Sequence, residues 1–234
     1  MGAVDRTALP TIRMTDNYQS GDRRPIASRQ WKLSHRLTHW LVARRVSANA
    51  VSMTGMAAGL LAGGCLAATA YLPGLESPLW FAGAMLVQGR LLANMLDGMV
   101  AIESKSASPV GELFNEVPDR ISDTAILIGL GLAADSNALL GLGAALAAML
   151  TAYVRAVGKA AGAHQEFCGP MAKPQRMFLV TLLALFCALA PREWRSLGGV
   201  ALPSALLVAI IAGSCWTALR RLFRVAHALH TKKS

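Results

Sequence analysis

Residues 49–72, 79–103, 111–134, 137–158, 175–190 and 199–222 form six apolar runs, each near the roughly 20 residues that an α-helix needs to cross a bilayer core. In hydrocarbon every backbone N–H and C=O must find its partner inside the chain, so such runs fold as helices rather than as loops or open sheet edges. The chain is 54% hydrophobic and 15% charged, against about a quarter charged in soluble domains. The expectation is an all-α, polytopic membrane protein with six transmembrane helices. The run at 175–190 is the shortest. Gly and Ala crowd the first and fourth runs (GMAAGLLAGGCLAATA and GLGAALAAML), which lets helices approach closely.

The flanks divide the chain further. Residues 1–29 are polar and aperiodic and read as a disordered tail. Residues 30–47 carry Trp31, Leu33, Leu37, Trp40, Leu41 and Val42 at helical spacing, with Lys32, Arg36, Arg44 and Arg45 between them. They read as an amphipathic helix in the headgroup region, anchored by tryptophan. The membrane domain then spans 48–225, and 226–234 is a basic tail. No basic start followed by an apolar core marks a signal peptide, so the first spans are expected to direct their own insertion.

The net charge of +10 gathers at the two ends and in the loops after the second and fourth runs. That distribution speaks for an anionic lipid surface and against nucleic acid, and with six spans it places both termini in the cytoplasm. Cys65, Cys168, Cys187 and Cys215 are scattered and form no CxxC pair. Neither a disulfide framework nor a zinc site follows, and Cys65, Cys187 and Cys215 read as small core residues.

The second run ends RLLANMLDGMVAIE and the third begins GELFNEVPDRISD. Charged and amide side chains are costly in a membrane, at least ~2.5 kcal/mol for a charge at the helix centre, and mark function when retained. At 100° per residue, Arg90, Asn94, Asp97, Gly98 and Ala101 share an arc of about 100° on one helix. Gly111, Glu112, Asn115, Asp119 and Asp123 share about 120° on the next. Glu103 falls on the far side of its helix and Glu116 at the edge of the stripe. Arg90 faces the same way as Asp97 and needs either an acidic partner deeper in the bundle or backbone carbonyls. Two such stripes across one short loop make an oxygen-rich pocket suited to hard cations such as Mg²⁺ or Mn²⁺.

These residues resemble the CDP-alcohol phosphotransferase family, whose second and third spans carry D-x2-D-G-x2-A-R-x8-G-x3-D-x3-D. Every gap is kept here: Asn94, Asp97, Gly98, Ala101, Gly111, Asn115 and Asp119 fall on the motif. Asn94 and Asn115 stand where the family has Asp, and Ile102 where it has Arg. The pattern resembles a variant subgroup with Asn at two of the four acidic positions. Asn49 and Ser52 at the start of the first span also look like that family, and the likeness covers about residues 30–225.

The resemblance implies metal-dependent transfer of a phosphatidyl or similar phosphoalcohol group from a CDP-alcohol, such as CDP-diacylglycerol, to an alcohol acceptor. CMP is released, in phospholipid biosynthesis at a bacterial inner membrane. It implies metal held by Asn94, Asp97, Asn115 and Asp119, with Asp119 as the base. It also implies donor contacts at Asn49, Ser52, Gly98, Ala101 and Gly111, and an acceptor, often phosphorylated, at Arg155, Lys173 and Arg176. A homodimer is implied as well. The two amides remove negative charge and weaken the expectation of two metal ions; Glu112, Glu116 and Asp123 stand where they could restore it. Two other readings fit the polar stripes: a relative that binds CDP-lipid without turnover, and a small ion-coupled carrier. A carrier more often places its charges near the midplane, whereas these cluster at one end.

Overall fold

The computed structural model describes residues 32–106 and 109–231, the side chains of 109, 110 and 112 excepted. The expected N-terminal tail, residues 30 and 31 of the expected amphipathic helix, the side chain of Glu112 and the last three residues lie outside that description.

Seven α-helices carry the described chain: α1 (Lys32–Ala43), α2 (Ala48–Ala68), α3 (Glu76–Glu103), α4 (Pro109–Gly131), α5 (Ala138–Ala160), α6 (Lys173–Leu189) and α7 (Leu202–Thr231). Local chemistry sets several boundaries. Ser47 caps α2, its hydroxyl accepting from Ala50 N at 3.2 Å. Asn137 caps α5 by accepting from Leu139 N and Leu140 N. Pro174 sits in the first turn of α6, where a missing N–H costs nothing.

α2, α3, α5 and α7 are each long and apolar enough to cross a membrane. The expectation of six is met by four on these terms. α4 has the length but carries Glu116, Asp119, Arg120 and Asp123, and α6 has 17 residues. The sixth run also begins later than expected. Ser196–Leu197 (β1) and Val200–Ala201 (β2) pair as a minimal hairpin, with Gly198 and Gly199 at φ 59° and 80° in its turn. α7 therefore starts at Leu202 and runs on to Thr231, through residues expected to form a separate tail.

α2 is the central strut. It packs along both α3 and α4, whereas α3 and α4 touch each other little. Glycine makes this possible. A Cβ on Gly63 would lie 2.4 Å from the carbonyl oxygen of Ala125, and one on Gly59 would lie 2.5 Å from Ser122 Cβ. α6 lies on α3, and α5 packs between α4 and α7. Leu66, Trp80, Val87, Ile126, Leu130, Met177 and Ile210 are wholly buried in the resulting core. Much apolar surface remains outside, including Leu146, Phe178, Trp216 and Phe223. That is far more than a soluble monomer exposes, and it is a lipid-facing surface in composition.

α1 lies against α3. Its buried residues are Ser34 and Thr38, while Leu33 and Trp40 are exposed and Leu37 and Leu41 pack beside Val51, Met95 and Leu96. Its apolar residues thus divide between the protein and the outside. Of the cysteines, Cys187 is buried, Cys65 and Cys168 are partly so, and Cys215 is exposed on α7, contrary to the core role expected of it. All four are free thiols.

Candidate active site

The C-terminal half of α3 and the N-terminal half of α4 diverge around a small, partly open cleft with room for about one water molecule. Ser52, Gly55 and Met56 of α2 close one side. Arg90, Asn94 and Asp97 come from α3, and Asn115, Pro118, Asp119 and Ser122 from α4. The residues at all four acidic positions of the motif thus converge on one space, as the two helical wheels require.

Asp97 is 3% exposed. Its Oδ2 accepts from the Ser52 hydroxyl at 2.7 Å, and its Oδ1 is buried with no partner among the described residues. A bare carboxylate oxygen is costly to bury and calls for a donor or a cation.

Asp119 is engaged on both oxygens. Arg90 Nη2 donates to Asp119 Oδ1 at 2.9 Å and to the Asp119 carbonyl at 3.1 Å, and lies 2.8 Å from Asp123 Oδ1. The Lys173 ammonium, at the start of α6, pairs with Asp119 Oδ2. The neighbours of Asn94 fix its amide. Nδ2 donates to Asp119 Oδ1 at 2.8 Å and to Asn115 Oδ1 at 3.1 Å, while its oxygen accepts from Lys173 Nζ at 3.1 Å.

The expected compensating carboxylates do not add free negative charge. Asp123 is buried between Arg90 and Arg176. Glu116 pairs with Arg155 and with Arg120 one turn along α4. Glu112 lies outside the described side chains. The expected acceptor set separates as well. Lys173 contacts Asp119 and Asn94 in the cleft wall, and Arg155 lies beside Glu116 and over the Phe167 ring. Arg176 is 1% exposed and donates to the Met171 carbonyl at 2.8 Å, so it is an internal counter-ion of Asp123 and not open to a ligand.

Among the expected donor contacts, Ser52 is at the site through Asp97. Gly98 and Ala101 follow Asp97 on α3, and Gly111 lies one turn before Asn115. Asn49 is exposed and does not line the cleft. Glu103 points away from the cleft, as its wheel position requires, and meets His39 of α1. The reading of residues missed Arg120, which no spacing singled out, and the contact of Lys173 with Asp119. The second depends on how α6 folds back onto α3.

Among the described residues no group of three or more His, Cys, Asp or Glu side chains is arranged to hold a metal. The cleft instead offers the bare Asp97 oxygen, with side-chain oxygens of Ser52 and Asn115 around the same space. That all-oxygen set fits a hard divalent cation on the Asp97 side.

No family model matches the chain. It is 29% identical over 184 residues to the inner membrane protein YnbA of Escherichia coli, covering 78% of this chain and 85% of that one. It is also 29% identical over 110 residues to the phosphatidylinositol phosphate synthase of Mycolicibacterium smegmatis, covering 44% of this chain and 49% of the enzyme. In three dimensions it resembles the phosphatidylinositol phosphate synthase of Mycobacterium tuberculosis. The form in complex with manganese and citrate superposes with a TM-score of 0.65 at 23% identity, over 82% of this chain and 88% of the enzyme. The form with CDP-DAG bound gives 0.62 at 22%, over 86% and 95%. At that identity the likeness establishes a shared fold.

Proposed function

We propose that this chain is a membrane-embedded CDP-alcohol phosphotransferase. Its donor is CDP-diacylglycerol, and it makes a phospholipid by passing the phosphatidyl group to an alcohol. The convergence of Asn94, Asp97, Asn115 and Asp119 on one cleft, with a buried carboxylate oxygen left bare, carries this reading. The relatives support it. One is an inner membrane protein, and the solved synthase of the same fold binds CDP-DAG in one form and manganese in another.

In this reading the six apolar helices, with α4 and α6 shielded by their neighbours, span the inner membrane and α1 lies in the headgroup layer. Both termini are cytoplasmic and the chain forms a homodimer. The donor's pyrophosphate enters between α3 and α4. Gly98, Ala101 and Gly111 leave it room, and Ser52 orients Asp97. Asp97 with the Asn115 oxygen would hold Mg²⁺ or Mn²⁺, which when bound would supply positive charge against the pyrophosphate and the transferring phosphoryl group.

The acceptor's oxygen forms a new bond to the phosphorus of the phosphatidyl group as the bond to CMP breaks, and CMP leaves with the bonding electron pair. The acceptor's proton passes to Asp119. Arg90 fixes Oδ1 of that carboxylate, so the proton goes to Oδ2 as Lys173 yields its place. Lys173 and Arg155 flank the approach and suit an acceptor that carries phosphate.

The test is CMP release by purified protein with labelled CDP-diacylglycerol, Mg²⁺ or Mn²⁺ and pooled alcohols. Turnover in the wild type, lost at least ~100-fold in Asp119→Ala as removal of a general base requires, supports the reading. Donor binding without turnover against any alcohol would make the chain a binding relative. Ion flux across sealed vesicles without CMP would make it a carrier.

A further inference from the structure

The Asp119 side of the cleft already holds its own positive charge. Asp119 Oδ1 accepts from Arg90 and Asn94, and Oδ2 faces Lys173 and, at 3.2 Å, the same Asn94 amide. The amide turns its nitrogen toward Asp119 and Asn115, and an NH₂ group is no metal ligand. Its oxygen is taken by Lys173. Every side-chain oxygen of Asn94 and Asp119 already has at least one donor. The Asp97 side differs: Oδ1 is buried, bare and next to empty space.

The charges point the same way. Asp97, Glu116, Asp119 and Asp123 are the described carboxylates in and around the cleft. Arg90, Arg120, Arg155, Lys173 and Arg176 are the cations in contact with them. The described fixed charge is positive before any metal arrives. Two divalent ions would add four further positive charges in a half-buried space where repulsion is poorly screened.

We propose that this chain works with a single divalent cation, on the Asp97 side of the cleft. In the resting site the Lys173 ammonium, with Arg90, supplies on the Asp119 side the positive charge that a second ion would bring. The two asparagines and the lysine then form one device. The amides remove the charge that would demand a second metal, and Asn94 holds the ammonium in its place. This inference rests on the proposed use of a divalent cation.

The experiment is a Mn²⁺ titration of the purified full chain in detergent or nanodiscs, without donor, counting bound ions from the loss of the free-ion EPR signal. One Mn²⁺ per wild-type chain and none in Asp97→Ala are the expected results. The paired variant Asn94→Asp with Lys173→Met restores a carboxylate and removes the ammonium; it should bind two, with the spectrum broadened by coupling between neighbouring ions. Two ions in the wild type would overturn the inference while leaving the proposed reaction standing. A single ion that survives Asp97→Ala and disappears in Asp119→Ala would overturn it also. No bound Mn²⁺ together with no CMP release would sink the reaction and the inference at once. The wild-type count decides the matter even if the paired variant fails to fold.

Discussion

Arg90→Met tests how the core of the site is held. Arg90 is 1% exposed, and one of its nitrogens serves Asp119 Oδ1, the Asp119 carbonyl and Asp123 Oδ1, at 2.9, 3.1 and 2.8 Å. Methionine fills much of the same volume but leaves Asp123 with Arg176, at 3.7 Å, and Asp119 with Lys173 and Asn94. Removing one partner of a buried ion pair costs about 3–5 kcal/mol. Asp119 keeps other partners, so the Asp123 contact dominates and the loss should fall near the lower figure. That is about two decades in the folding equilibrium. Replacing both members of a buried pair by uncharged groups is close to neutral. Arg90→Met combined with Asp123→Asn should therefore recover at least half of the loss. Equilibrium unfolding in mixed micelles, followed by far-UV circular dichroism and tryptophan fluorescence, measures both. A single-variant loss below about 1 kcal/mol, or a double variant whose loss equals the sum of the two singles, would refute the claim that Arg90 is held by charge.

Other outcomes follow from the packing and the cleft. Gly63→Ala should cost about 1–3 kcal/mol, because its Cβ would press on the Ala125 carbonyl at 2.4 Å, whereas Gly64→Ala, with nothing within 4 Å, should be neutral or slightly stabilising; the same unfolding assay separates them. Cys187 should stay protected from a membrane-permeant maleimide until the fold opens, read by mass spectrometry. Ser52→Ala should strip Asp97 of its side-chain donor, leaving it the Gly98 backbone N–H. It should lower CMP release roughly ten-fold while thermal stability changes by no more than about 1–2 kcal/mol.

The site was legible because its chemistry lies on two neighbouring helices. Helical spacing alone aims Asn94, Asp97, Asn115 and Asp119 at one another and puts Arg90 on the same face, and the structure supplies its acidic partners in Asp119 and Asp123. The parts that escaped depend on contacts between distant segments. Lys173 lies far along the chain from Asn94, and no local pattern shows that α6 will lean on α3 and deliver its first residue to Asp119. Glu116 and Asp123 share the correct face, but their arginine partners come from α3, α5 and α6 as well as from α4 itself. Span boundaries slipped where apolar content misleads. Val200 and Ala201 look like the start of a helix, but they pair with β1 across a turn in which Gly198 and Gly199 take the left-handed region, and α7 is delayed.

The strut formed by α2 has a mechanical consequence. α3 and α4 each lean on it along a seam of glycines and scarcely on one another, like two arms of a pair of tongs joined by a common spine. A molecule sliding between the arms exchanges its own polar groups for side-chain bonds and leaves the packed backbone intact. Insertion is then opposed mainly by a handful of side-chain contacts and scarcely by helix packing.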